Sequence, residues 1–146
     1  MLRAIESIAT ITAAIFAGAA LYINLVEHPA RMVLDTKSAA LEWAPSYRRA
    51  TWMQAPLALI SLVTGLISWW MGGGFEWAIA ALLIGAVVPF TFLGIMPTNH
   101  RLLESDRDLA SEETRALLGK WVKLHAVRTA LSLLATAVYT WQAHGS

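Results

Sequence analysis

The chain reads as an all-α membrane protein: a single up-down bundle of four transmembrane helices, with a long fourth helix. Three observations lead there. The composition is 57% hydrophobic and 14% charged over 146 residues, with a mean hydropathy of +0.53. A soluble domain has roughly 45–50% apolar and about 25% charged residues. The apolar residues gather in four runs, at about 4–27, 46–71, 75–96 and 117–142, and about 20 such residues cross about 30 Å of hydrocarbon. The connections are short, so residues 1–146 form one domain.

The first run has Arg3 in front and small residues at Ala17-Gly18-Ala19-Ala20, which resembles a secretion signal. It is longer than the apolar part of a signal, so it reads as a retained helix. Thr10, Ala13, Ala17, Ala20 and Asn24 share one helical stripe, and small residues on a stripe let helices approach closely in lipid. Asn24 and His28 lie four apart on one face. Pro29 disfavours helical geometry at His28 and is expected to end or kink the helix there.

A polar loop follows, with a short helix expected at about Ser38 to Trp43. Pro45 suits the first turn of the second helix, where its missing N–H costs nothing. That helix carries Tyr47, Arg48, Arg49, Trp52 and Gln54 early in its course. Gly72-Gly73-Gly74 marks a tight turn. The third run contains Pro89 and is expected to end at Pro97, with Asn99, His100 and Arg101 opening the second polar loop. Ser111 before Glu112 and Glu113 reads as a helix start. The helix from there to about Gln142 is too long for one crossing, so its first turns stand in water. Trp121, His125, Arg128 and Ser132 lie along one face of it. No internal repeat or low-complexity segment is present.

Charge sets the orientation. The two polar loops and their flanks hold Arg31, Lys37, Arg48, Arg49, Arg101, Arg107, Arg115, Lys120 and Lys123, against Arg3 alone on the other side. The positive-inside rule puts both long loops in the cytoplasm and both termini on the non-cytoplasmic side. Trp69, Trp70, Trp77 and Trp141 gather at the opposite boundary, as an aromatic belt does. A net charge of +1 with no basic tract gives no case for nucleic acid. With no Cys, disulfides, thiol chemistry and Cys-held iron–sulfur clusters are excluded.

Threading the runs up and down brings together Asn24, Glu27, His28, Tyr47, Arg48, Arg49, Trp52, Asn99, His100, Trp121, Lys123, His125 and Arg128. The other end offers little that ionises beyond Glu6, Glu76 and His144. Ionisable residues within a span are costly and face interior cavities. Each residue alone has an ordinary reading. His28 can bond backbone near Pro29, and His100 can be solvated. His125 can be a structural donor, Arg128 can snorkel or neutralise Glu27, and the Trp residues can anchor the interface. The asymmetry between the two ends is what points to a site.

Three stretches carry a resemblance. Tyr22-Ile23-Asn24-Leu25-Val26-Glu27-His28-Pro29-Ala30-Arg31, then Met96-Pro97-Thr98-Asn99-His100-Arg101-Leu102, then Trp121, His125 and Arg128 spaced W-x-x-x-H-x-x-R occur in order. Together they resemble the anthrone oxygenase-like family of small four-helix membrane proteins, over nearly the whole chain. The resemblance implies four transmembrane helices and, as in the named fungal members, oxidation of an anthrone to an anthraquinone. It speaks more strongly for fold than for substrate.

The residue types suit such chemistry independently. A flat phenolic substrate that loses a proton becomes electron-rich enough to reduce dioxygen, and no metal is strictly required. His28 or His125 would be the base. Asn24 and Asn99 would be hydrogen-bond partners, and Arg128 the anion stabiliser. Trp52, Trp121, Tyr47 and Arg49 would bind substrate. The expected function is therefore a membrane-embedded oxygenase, a monooxygenase acting on a hydrophobic phenolic or quinone-like small molecule with dioxygen and with no cofactor. Membrane lipid surrounds it, and an oligomer is compatible with the sequence. Two rivals stand beside this reading. In one, His28, His100 and His125 hold a metal or haem in a redox protein. In the other, the chain binds lipid or a small molecule without turnover.

Overall fold

The computed structural model describes residues 1–145, and among them every regular element is helical. Four rods make up the structure: α1 (Leu2–Arg31), α2 (Thr36–Gly73) and α3 (Phe75–Leu102), then α4 (Glu112–Gly145). The first three are long and apolar enough to cross a membrane. The first half of α4 carries Glu112, Glu113, Arg115, Lys120, Lys123 and Arg128, which lowers its hydropathy.

The main packing runs in a ring: α1 lies against α2 and α4, and α3 lies against α2 and α4. Small residues permit the close approach. Ala9, Ala13, Ala80 and Ala81 are fully buried around Trp77 and Tyr139, and Phe16, Ala20, Ala58, Ile84 and Ala135 fill the middle. Polar bonds tie the helices there: Ser61 Oγ donates to Ala9 O at 2.9 Å, and Tyr139 Oη donates to Ser61 O at 3.0 Å. Asn24, late in α1, reaches Val122, early in α4. Gln142, late in α4, reaches Gly73 at the end of α2. Arg115 closes the first end by donating to Met32 O in the α1–α2 loop at 2.6 Å.

Several helix ends differ from expectation. Pro29 does not end α1, which continues to Arg31. The chain widens into a π-helical segment, Ile23–Glu27, just before His28 and Pro29. A proline lacks an N–H and crowds the carbonyl four residues back, and the wider turn ahead of it relieves both problems. The same device recurs in α3, where the π segment Thr91–Ile95 precedes Met96 and Pro97. Residues Asn99 to Arg101 are therefore helical and do not open the loop.

In α2 the expected short helix and Pro45 start are replaced by one continuous helix from Thr36, with Pro45 and Pro56 inside it. Asp35 caps it, accepting from the Ser38 amide at 3.0 Å and the Ser38 hydroxyl at 2.6 Å. Pro45 and Leu41, whose carbonyl loses a partner to it, both lie on the exposed face. Gly72 and Gly74 turn the chain into α3 with φ of 90° and 100°, values that a side chain disfavours. Ser111 caps α4 as expected, accepting from the Thr114 amide at 3.1 Å. Of the expected aromatic belt, Trp69, Trp70 and Trp141 are exposed. Trp77 is core, fully buried with its ring centroid 5.2 Å from that of Tyr139.

Candidate functional site

The clearest constellation joins α1 and α4. Asn24 sits in the π segment of α1, and its Nδ2 donates to Val122 O at 3.1 Å. That bond orients the amide, leaving Oδ1 to accept from Thr129 Oγ1 at 2.6 Å and to pair with His125 Nδ1 at 2.7 Å. A carbonyl oxygen can only accept, so Nδ1 of His125 carries the proton and Nε2 keeps its lone pair. His125 is 2% exposed, and Trp121, one turn earlier, stacks on it at 5.0 Å.

The next turn of α4 presents Arg128. It donates to Gln54 Oε1 of α2 at 2.8 Å and lies 5.4 Å from the Phe16 ring centroid, a cation–π contact. Gln54 Nε2 and Arg128 Nε are both enclosed and have no partner among the described residues. A small cavity of ≈ 10 Å³ is lined by His125, Trp121, Gln54, Arg128, Tyr47 and Thr51, with Ile23, Ser46 and Ala50. It adjoins a larger apolar cleft of ≈ 120 Å³ between α2 and α3, lined by Phe16, Ala55, Ala58, Val87, Val88, Phe92 and Met96. Tyr47, Thr51 and Arg128 line both.

His28 belongs to a neighbouring cluster. Its Nδ1 accepts from Arg31 at 2.9 Å, so its lone pair is engaged, and Nε2 is enclosed. Arg31, expected as a loop cation, is buried. It bonds Glu27 at 2.7 Å and Ser46 at 3.1 Å, and also Glu42. Ser46 in turn bonds Glu27. Arg31 thus pairs with Glu27, and Arg128 does not neutralise it. His28 and His125 flank one indole, with the His28 ring 5.5 Å from Trp121. Yet only His125 lines the small cavity.

Other expected site residues fall elsewhere. Trp52 is 82% exposed, pointing outward from α2, and walls no cavity with His125. The indole stacked on Tyr47 is instead Trp43, at 5.1 Å, which meets Trp121 edge-on at 5.9 Å. Arg49 is exposed and lines an opening of ≈ 440 Å³ between α1 and α2, beside Glu27 and Glu42, which shares Ile23, Ser46, Ala50 and Gln54 with the small cavity. Asn99 is fully buried, but both its amide atoms lack partners among the described residues and it does not line the His125 cavity. His100 is exposed on the last turn of α3. The set His28, His100 and His125 does not converge, and no cluster of three or more His, Asp or Glu residues is placed to hold a metal among the described residues.

Gln54, Thr129 and Trp43 went unread as site residues. A signal for the first was present. Trp43, Tyr47, Ala50, Gln54, Ala58, Ser61, Gly65 and Ser68 recur every three or four residues. That stripe of small and polar residues is the packing face of a helix in lipid. It includes Gln54 and leaves Trp52 on the other side.

Comparison with known proteins shows a family. A family model described as anthrone oxygenase matches residues 43–138. The chain is 28% identical to the anthrone oxygenase tpcL of Aspergillus fumigatus, over 91% of this chain and 89% of that protein. No solved structure matches. The chain belongs to the anthrone oxygenase family.

Proposed function

We propose that this member of the anthrone oxygenase family oxygenates a flat, hydrophobic, anthrone-like phenol with dioxygen and without a cofactor, inside a bundle whose four rods cross the membrane up and down. One observation carries the reading. His125, its Nδ1 proton held by Asn24, lines a cavity that it shares with Arg128 and that adjoins an apolar cleft. A base, a cation and a hydrophobic slot are what such a substrate needs. His28 is the weaker candidate, because Arg31 occupies its lone pair.

In this reading His125 Nε2 takes the acidic proton of the substrate, and Arg128 stabilises the delocalised anion. The anion gives one electron to dioxygen, and the carbon radical and superoxide combine to form a C–O bond. The peroxide anion takes the proton back from the imidazolium. Loss of the proton still on that carbon, to water, then breaks the O–O bond. Hydroxide leaves and is protonated to water, and the carbon becomes a carbonyl. One methylene and one dioxygen give one ketone and one water. Trp121 holds the His125 ring by stacking, and Thr129 and Asn24 keep its tautomer.

The test is turnover of an anthrone by the purified protein under air, followed by the absorbance of the quinone. His125→Gln is expected to lose activity by at least about 10²-fold, within the usual range for a general base, while the protein stays folded. Full activity in that variant refutes the role. Stoichiometric iron, copper, zinc or haem in the active wild-type protein refutes the cofactor-free chemistry.

A further inference from the structure

We infer that Gln54 is a substrate-binding residue and that it selects the tautomer held: a phenolic or enolic hydroxyl seated between Gln54 Nε2, the Arg128 guanidinium and His125 Nε2. The inference rests on the oxygenase reading above and specifies which atom of that substrate enters the polar cavity.

The orientation of Gln54 follows from its neighbour. A guanidinium only donates, so the amide must show it Oε1, as it does at 2.8 Å. That turns Nε2 away from Arg128, as an enclosed donor with no partner. Arg128 Nε is a second such donor. His125 Nε2 is an acceptor, because Asn24 fixes the proton on Nδ1. Gln54 is 1% exposed and lines the same cavity as the other two. The residues lining the cavity thus supply the acceptor of His125 and enclosed donors on Gln54, Arg128 and Trp121, with the hydroxyls of Tyr47 and Thr51 beside them.

A hydroxyl is the complement. Its O–H donates to His125, and its two lone pairs accept from Gln54 and Arg128. A ketone leaves the lone pair of His125 unmatched, and an ether cannot donate to it. Volume makes the same choice. The cavity measures ≈ 10 Å³, about one water-sized sphere, so it admits an oxygen and no ring. The aromatic body then lies in the adjoining cleft of ≈ 120 Å³, across Tyr47 and Thr51.

The chemical consequence concerns where the proton leaves. Breaking the O–H bond of the enol sends its proton to His125 Nε2 and leaves the electron pair on oxygen. The anion is the same one obtained by taking a C–H proton from the ketone. Its charge is shared between the oxygen, held in the cavity by two donors, and the ring carbon on the far side. That carbon stands in the apolar cleft, where dioxygen dissolves and can reach it.

The experiment uses the full chain in lipid nanodiscs with 2-naphthol as the probe and empty nanodiscs as the reference. Absorbance gives the apparent pKa of the bound naphthol. The wild type is expected to lower it. Gln54→Glu keeps size and the Arg128 contact but removes the donor and adds negative charge, so the apparent pKa is expected to return upward by about 1 or more. Gln54→Met is expected to act in the same direction. The methyl ether 2-methoxynaphthalene is expected to bind at least about tenfold more weakly. An unshifted naphthol pKa in the wild type, a shift that survives Gln54→Glu, or equal binding of the ether overturns the inference. Anthrone turnover is measured separately. A Gln54-dependent naphthol shift without turnover supports the hydroxyl site and sinks the oxygenase reading. Turnover without the shift does the reverse.

Discussion

Replacing Asn24 with Leu tests the junction of α1 and α4 and the orientation of the proposed base in one step. The amide makes three contacts to α4, to Val122 O, Thr129 Oγ1 and His125 Nδ1, at 3.1, 2.6 and 2.7 Å. Interhelical hydrogen bonds in membranes average about 0.6 kcal/mol, so three give about 2 kcal/mol. The Nδ1–H of His125 and the hydroxyl of Thr129 also lose their shared acceptor, which moves the value upward, because a buried unpaired donor costs about 1–3 kcal/mol. The expected destabilisation is therefore about 2–4 kcal/mol, read from denaturant unfolding in detergent micelles by tryptophan fluorescence. The functional loss is expected to exceed what unfolding explains, since the freed imidazole populates both tautomers and rotates. Asn24→Asp retains the acceptor and is expected to recover the His125 tautomer, which nitrogen chemical shifts in labelled protein report. A loss below about 0.5 kcal/mol for Asn24→Leu, or an unchanged Nδ1–H tautomer in that variant, refutes the reasoning.

Three other outcomes are expected. Gly65→Ala places a methyl on Tyr139 Oη and 2.9 Å from Ala81 Cβ. It should destabilise by about 1–3 kcal/mol, as overpacking does, with the turnover of the remaining folded protein unchanged. Asp35 is exposed, and the bonds from the Ser38 hydroxyl and amide hold its carboxyl below the usual range. A folded-state pKa below the unfolded one gives stability that is present above pH about 4 and fades as pH falls through the folded value. Asp35→Ala should flatten that part of the acid unfolding profile of α2. Finally, a cysteine appended after the C-terminus should label with an impermeant reagent in intact cells, because nine of the eleven Lys and Arg lie in or beside the two long loops. Labelling only after lysis refutes that orientation.

Much of the arrangement was legible because lipid imposes few solutions. Run length gave the rods, and the stripe of Ala13, Ala17, Ala20 and Asn24 gave the face of α1 that meets its neighbours, three of those four being buried. The spacing of Trp121, His125 and Arg128 put them on the inner face of α4. The helix ends were misread because the rules used describe chains in water, where a proline coincides with a frayed end. In α1, α2 and α3 the chain keeps its backbone bonds within the helix and absorbs Pro29, Pro45 and Pro97. Trp52 and Gln54 differ in rotation about α2, and of the two Gln54 lines the cavity with His125. They are two residues apart on α2, on opposed faces, and residue type alone favoured the aromatic. His28 was legible as a buried polar residue, but its capture by Arg31 depends on a turn of helix where the sequence signalled a stop.

That turn has a consequence for how the chain indexes its own faces. Along α1 the inward positions fall at Glu6, Ala9, Ala13, Phe16, Ala17, Ala20 and Ile23. Asn24, half-buried, follows at once and bonds α4, and the next buried positions are His28 and Arg31. The π segment widens the turn there, so Ile23 and Asn24 both face inward before His28. Upstream of Ile23 the inward face is set by alanine packing, and downstream by the ion cluster on Arg31. The half that holds the helix in the bundle and the half that furnishes the polar cluster thus meet at this wider turn.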